Sequence, residues 1–139
     1  MKRIALAICL LSSGLVVAGE PVTTQRPVPY AANSTVAGNV KNECKVPEQL
    51  ADFLQQYSDK KGTKVNFTDS AVDTSKGRVL KLEILDAVSM GGAWMGHAKS
   101  TAVRGELFEN GKRVAGFTGR RNSMGGMYAG FKSSCSVLG

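Results

Sequence analysis

The chain has 139 residues, with 18 lysine and arginine residues against 11 aspartate and glutamate residues, which gives a formal net charge of +7. This length corresponds to one domain. The basic residues are scattered rather than gathered in a stripe with interleaved aromatic residues, so we expect no nucleic-acid binding.

The N-terminus has the features of a secretory signal peptide. Lys2 and Arg3 precede an apolar run from residue 4 to residue 15, and small residues follow as far as Gly19. The apolar run is too short to span a bilayer as a helix. We therefore assign residues 1–19 to a cleavable signal and expect no transmembrane segment after its removal. This assignment predicts a periplasmic or secreted bacterial protein.

The cysteines suggest one covalent cross-link. Cleavage of the signal removes Cys9 and leaves Cys44 and Cys135 in an oxidising compartment. Two thiols in an exported chain predict a single disulfide between them. A C-x-x-C redox pair or a zinc site would need cysteines that lie closer together in the sequence.

A proline-rich segment and a helix come next in the chain. Residues 20–45 contain several prolines and show no apolar period, which predicts a flexible leader. Residues 47–61 have helical spacing of their apolar side chains, and Gly62 follows where glycine commonly ends a helix. The predicted apolar stripe of this helix consists of Leu50, Phe53, Leu54 and Tyr57.

The rest of the chain predicts an antiparallel sheet. Residues 64–68 form a short strand candidate, and residues 78–88 alternate between apolar and charged side chains, as a half-buried strand does. Together these elements predict one α+β domain over residues 46–139. It consists of one amphipathic helix packed on a three- to four-stranded antiparallel sheet, with a single disulfide.

An Asn-Gly dipeptide at residues 110–111 marks a β-hairpin, because both residue types tolerate the positive φ of a type I′ turn. A two-residue turn at this place predicts the register of the hairpin. Gly105 lies opposite Gly116 on the core face in this register. On the other face Arg104 lies across from Phe117, close enough for a cation–π contact.

A glycine-rich segment occurs twice, at residues 89–97 and 123–131, and each copy joins a Gly-Gly pair to an aromatic residue. Exposed aromatic side chains on loops that leave a rigid sheet are typical of recognition surfaces. We therefore predict that these two segments form a binding surface. Its predicted residues are Gly91, Gly92, Trp94, Gly125, Gly126 and Tyr128.

The same two segments also hold most of the methionines and the only histidine of the chain. Thioether and imidazole ligands together suit copper(I). Alternatively, the methionines fill gaps between the loops and the sheet, and the protein then needs no cofactor. The residues of the hypothetical copper(I) site are Met90, Met95, His97, Met124 and Met127.

The sequence contains no pattern that predicts an enzyme. A nucleophile needs a nearby base, and His97 stands alone. Glu83, Asp86 and Glu106 alternate with basic residues, as on a solvated sheet face with cross-strand charge pairs. We therefore expect a non-enzymatic envelope protein that binds another protein or a surface polymer. The competing hypothesis is a periplasmic copper(I)-binding protein.

Residues 79–139 carry a family resemblance. They contain a strand, a Gly-Gly-aromatic loop, the sequence Arg-Gly-Glu-Leu at 104–107, a second Gly-Gly-aromatic loop and a Cys-Ser-Val-Leu ending. This order resembles uncharacterised exported bacterial proteins of a DUF4410-like type. The resemblance implies export and a small α+β fold, and it implies no particular activity.

Overall fold

The computed structural model describes residues 19–92 and 96–124. Six strands and two helices lie within these ranges, and all six strands belong to one sheet. The elements in chain order are β1 (Val22–Gln25), β2 (Tyr30–Val36), α1 (Gly38–Glu43), α2 (Val46–Lys61), β3 (Val65–Thr68), β4 (Arg78–Gly92), β5 (Gly96–Glu109) and β6 (Lys112–Met124).

The sheet is mixed rather than antiparallel. Its strand order is β3-β1-β4-β5-β6, and β2 also pairs with β4. β1 runs parallel to β3 and β4, and β2 runs parallel to β4, whereas β4, β5 and β6 form an antiparallel meander. The predicted three- to four-stranded antiparallel sheet with one helix is therefore wrong. It captures the meander and misses the parallel half.

The segment 20–45, predicted as a flexible leader, contains β1, β2 and α1. Thr24 and Val28 are fully buried, and the backbone N–H of Ile84 in β4 donates to the Pro29 carbonyl at 2.9 Å. The prolines of this segment lie outside the two strands, where no ladder hydrogen bond needs their missing N–H. Local composition therefore misled the prediction, because the strands are specified by partners that lie far away in the sequence.

Two predictions that depend on positive φ angles are confirmed. α2 ends at Gly62, which has a φ of 68°. The hairpin turn lies at Asn110 and Gly111, with φ angles of 49° and 86°. The side-chain oxygen of Asn110 also accepts a hydrogen bond from the Gly77 N–H at 3.0 Å, so the turn is attached to the loop that precedes β4.

The hydrophobic core lies between the helices and the part of the sheet that contains β4. Ile84 is fully buried at its centre, and Leu50 and Leu54 of α2 pack against it. Phe53 and Tyr57, the other members of the predicted stripe, remain 48% and 67% exposed. α2 is thus rotated about its axis so that the Leu50 and Leu54 side of the stripe faces the core. The Phe53 and Tyr57 side lies at the margin of the core.

The register of the β5–β6 hairpin differs from the predicted one. Val114 is an extra residue on β6, and the pairing shifts by one residue at this bulge. Gly105 consequently pairs with Phe117 and not with Gly116, and Arg104 no longer lies across from Phe117. Alternation could not reveal the bulge, because β6 is exposed on both faces.

Several predicted features lie wholly or partly outside the described residues. Residues 1–18 of the predicted signal are among them. Cys44 is buried directly after α1, and Cys135, its predicted disulfide partner, lies outside the described residues. In the described ranges, no helix has the length and apolar character needed to cross a membrane.

Candidate functional site

An open groove of ≈ 430 Å³ lies between α2 and the half of the sheet formed by β5 and β6. Its walls are mostly apolar. The wall on the helix side is formed by Leu50, Phe53 and Tyr57. The wall on the sheet side is formed by Thr101, Val103, Gly119, Arg120 and Arg121.

The groove is open because of the helix rotation and a glycine. Phe53 and Tyr57 are four positions apart and therefore lie one above the other on the same side of α2. Opposite them, Gly119 pairs with Val103 and has no side chain. A Cβ atom at Gly119 would meet nothing within 4 Å, so the space above β6 is unfilled at this point.

Phe117 extends the apolar surface along β6. It precedes Gly119 by two residues and therefore lies on the same face of the strand. Its ring lies over Gly105 of β5, where any side chain would collide with it. The ring nevertheless remains 55% exposed. Exposed aromatic side chains next to a groove are typical of surfaces that bind other molecules.

The opposite face of the sheet is polar, and Glu83 lies at its centre. Its carboxylate accepts hydrogen bonds from Arg104 and pairs with Lys81 at 3.2 Å. The hydrogen bonds from Arg104 hold the pKa of Glu83 below its usual value, although desolvation acts in the opposite direction. A general acid that works near neutral pH needs a raised pKa. The lowered pKa of Glu83 is the opposite of what a general acid needs, and its carboxylate is paired with Arg104 and Lys81.

Two further carboxylates on this face are also paired. Glu106 accepts from Arg113 at 2.9 Å, and Asp86 pairs with Arg120 at 3.0 Å. The guanidinium of Arg113 lies over Gly116, where a side chain would collide with it. These contacts confirm the prediction of a solvated sheet face with cross-strand charge pairs.

The backbone register brings the described parts of the two glycine-rich segments to the same end of the sheet. These parts, residues 89–92, 96–97 and 123–124, belong to β4, β5 and β6 and not to loops. Met90 pairs with Ala98, Ala98 pairs with Met124, and Gly91 pairs with His97. The hairpin thus returns the chain to this end, as a shared site requires. Gly92 is the last residue of β4. The remaining residues of the predicted binding surface and copper(I) site lie outside the described residues: Trp94, Met95, Gly125, Gly126, Met127 and Tyr128.

The described side chains include no cluster of three or more His, Cys, Asp or Glu residues that could hold a metal ion. Methionine thioethers are a separate class of ligand. The copper(I) hypothesis therefore stays a prediction.

Sequence reasoning missed the groove, because it placed Phe53 and Tyr57 in the core. The sequence of β6 does contain a signal. Val114 and Phe117 are the only large apolar residues in the middle of this strand, which also carries two glycines and four basic residues. A strand with so few apolar residues is too polar to lie beneath a helix.

Comparison with known families found no matching family, and comparison with curated proteins found no match. Among solved structures, the fold is similar to that of lipoprotein GNA1162 from Neisseria meningitidis. The TM-score is 0.55 at 10% sequence identity, over 75% of this chain and 83% of that chain. The hypothetical protein CT253 from Chlamydia trachomatis gives a TM-score of 0.45 at 13% identity, over 76% of this chain and 74% of that chain. The first likeness shows a shared fold, and the resemblance to DUF4410-like proteins stays a prediction.

Proposed function

We propose that the chain is an exported bacterial envelope protein that acts as a non-enzymatic binding module, and that the groove is its contact surface. The observation that carries this proposal is the exposure of Phe53 and Tyr57 on a helix whose other apolar side chains pack inward. The signal-like N-terminus and the fold shared with a bacterial lipoprotein support the envelope location.

The composition of the groove favours a protein segment as the partner. Phe53 and Tyr57 offer rings whose burial contributes to association in proportion to the apolar area removed from water. Arg121, which pairs with Thr101 on the opposite wall, adds positive charge. A segment with apolar side chains and a carboxylate complements both walls. A sugar-rich surface polymer has less apolar surface to bury.

Site-specific photo-crosslinking in the native envelope tests this proposal. A photoreactive phenylalanine analogue at Tyr57 should capture one defined protein. The same analogue at Asp59, which is exposed on another side of α2, should not capture it. The double substitution Phe53→Ala and Tyr57→Ala should abolish recovery of that protein while leaving the melting temperature within a few degrees of wild type. Equal capture from both positions, or unchanged recovery by the double variant, would rule out the groove.

Copper(I) binding is the second candidate. It is favoured by the backbone register that places Met90 and Met124 level with each other, on either side of Ala98 in β5. The mature protein should then compete with a copper(I) chelator under reducing conditions and bind zinc(II) much more weakly. The variant with His97→Ala and Met95→Leu should compete less well. A wild-type protein that fails to compete overturns this function and leaves the groove proposal intact.

A further inference from the structure

In the described part of the chain, β6 is an edge strand that pairs only with β5. Every residue from 109 to 122 is exposed, including Val114 at 45% and Phe117 at 55%. Among the described residues no strand pairs with the outer edge of β6. Beyond the bulge, pairing with β5 is regular from Ala115 to Met124. Such an edge is a template for another strand.

We propose that this edge pairs with β6 of a second copy of the chain, in antiparallel orientation about a two-fold axis at Thr118. The axis is perpendicular to the sheet. The two copies therefore contribute the same residues of β6 to the interface, which is isologous. The two sheets become continuous, and both α2 helices lie on the same face. This inference is independent of the proposed function, because each copy keeps its own groove.

The length of the strand favours the axis at Thr118, because this residue is the midpoint of Lys112–Met124. Centring the pair on the midpoint allows the longest overlap and the largest number of backbone hydrogen bonds. The edges of natural sheets are commonly protected by charged residues, and β6 has cations near both of its ends. Its central run from Ala115 to Gly119 is uncharged.

The distribution of charge supports the same register. The axis at Thr118 places Arg120 opposite Gly116 and Arg121 opposite Ala115, so each cation faces a small neutral residue. An axis at Phe117 would instead place Arg113 opposite Arg121, and like charges directly opposite each other are destabilising. Two of the four cations are also neutralised within their own copy, by Glu106 and Asp86.

The shapes of the side chains are complementary in this register. Phe117 of one copy lies opposite Gly119 of the other, where an added Cβ atom would meet nothing within 4 Å. The two Phe117 residues are diagonal neighbours, with a Cα separation of about 7–8 Å that aromatic side chains can bridge.

The mass of the full mature protein in solution tests the proposal. Sedimentation should give the mass of two chains for the wild type and for Thr118→Ser. Thr118→Lys places two ammonium groups opposite each other and should weaken the dimer at least about tenfold. Circular dichroism checks that this variant is folded.

Disulfide trapping tests the register. Residues directly opposite in an antiparallel pair have Cβ atoms about 4.5–5.5 Å apart, close to the span of a disulfide. Oxidised Thr118→Cys should therefore run as a reducible dimer, whereas Ala115→Cys on the same strand should stay at the wild-type background.

Three results would overturn the proposal. These are a wild-type mass of one chain at every concentration, equal trapping at both cysteine positions, or an unchanged mass for Thr118→Lys. A single-chain mass means that β6 does not pair with a second copy of the chain. Capture of a partner through Tyr57 is unaffected by any of these results, so failure of the dimer leaves the groove proposal standing.

Discussion

The two halves of the sheet are stabilised in different ways. The half that contains β1, β2 and β4 lies under the helices and includes the fully buried Ile84 and Val28. The half formed by β5 and β6 has no helix over β6 in the described part of the chain. It depends on cross-strand ion pairs on one face and on Phe117 over Gly105 on the other.

One half of the sheet therefore supplies most of the stability, and the other half supplies the surfaces proposed for binding. Apolar burial is the main stabilising term in a small domain, and here it is concentrated around β4. Within the other half, β5 has buried residues such as Ala102, whereas β6 is exposed along its described length and contributes less apolar burial. Substitutions in the two halves should have effects of clearly different size.

The largest expected effect is in the covered half. Ile84→Ala leaves a cavity at the centre of the core and should lower the free energy of unfolding by about 2–5 kcal/mol. Val114→Ala, at the exposed bulge, should cost less than about 1 kcal/mol. Urea denaturation of both variants measures the contrast. Losses of similar size would show that the exposed half is covered in solution.

An intermediate effect is expected where the two halves meet. A methyl group at Gly105 collides with the ring of Phe117 and comes 3.1 Å from Cδ2 of Leu82, so Gly105→Ala should cost about 1–3 kcal/mol. Adding Phe117→Ala should recover part of this loss.

Gly119→Ala is the matched control for Gly105→Ala. Nothing lies within 4 Å of its added Cβ atom, so this change should be neutral or slightly stabilising. The two variants should be compared at low protein concentration, because Gly119 also lies in the proposed dimer interface. Equal losses at the two glycines would contradict the position of Phe117.

A smaller, pH-dependent effect is expected from the polar face. The pKa of Glu83 is lowered in the folded protein, chiefly by hydrogen bonds from Arg104, so the unfolded state binds the proton more tightly. The stabilisation is therefore present above the ordinary glutamate pKa, about 4.3, and is lost as the pH falls through the lower folded value. Glu83→Gln should flatten the pH dependence of the urea midpoint in this acidic range. An unchanged slope would mean that the pair contributes nothing to folding.

The smallest effect is expected at Gly116. A methyl group there displaces the guanidinium of Arg113 and should weaken its pair with Glu106. Exposed ion pairs contribute at most about 1 kcal/mol, and Arg113 is flexible enough to move aside. Gly116→Ala should therefore change the free energy of unfolding by less than Gly105→Ala does. Thermal melts of the two variants side by side test this order.

The candidate binding surfaces could be predicted from the sequence only in part. The described parts of the two glycine-rich segments lie at one end of the sheet, as expected, since the Asn110-Gly111 turn returns the chain there. The groove was not expected, because an apolar stripe looks the same in a sequence whether both of its sides are buried or only one. The bulge at Val114 was also hidden, and it moved Phe117 from the outer face to the face of the groove.

The sequence alone determined the features that depend on neighbouring residues. These include the extent of α2, its end at Gly62, the turn at residues 110–111 and the alternation along β4, all of which follow from short-range backbone and side-chain preferences. Tertiary structure decided the parallel pairing of β1 and β2, the rotation of α2 and the exposure of β6. Each of these depends on a partner distant in the chain, and a local pattern carries no information about which surface that partner will cover.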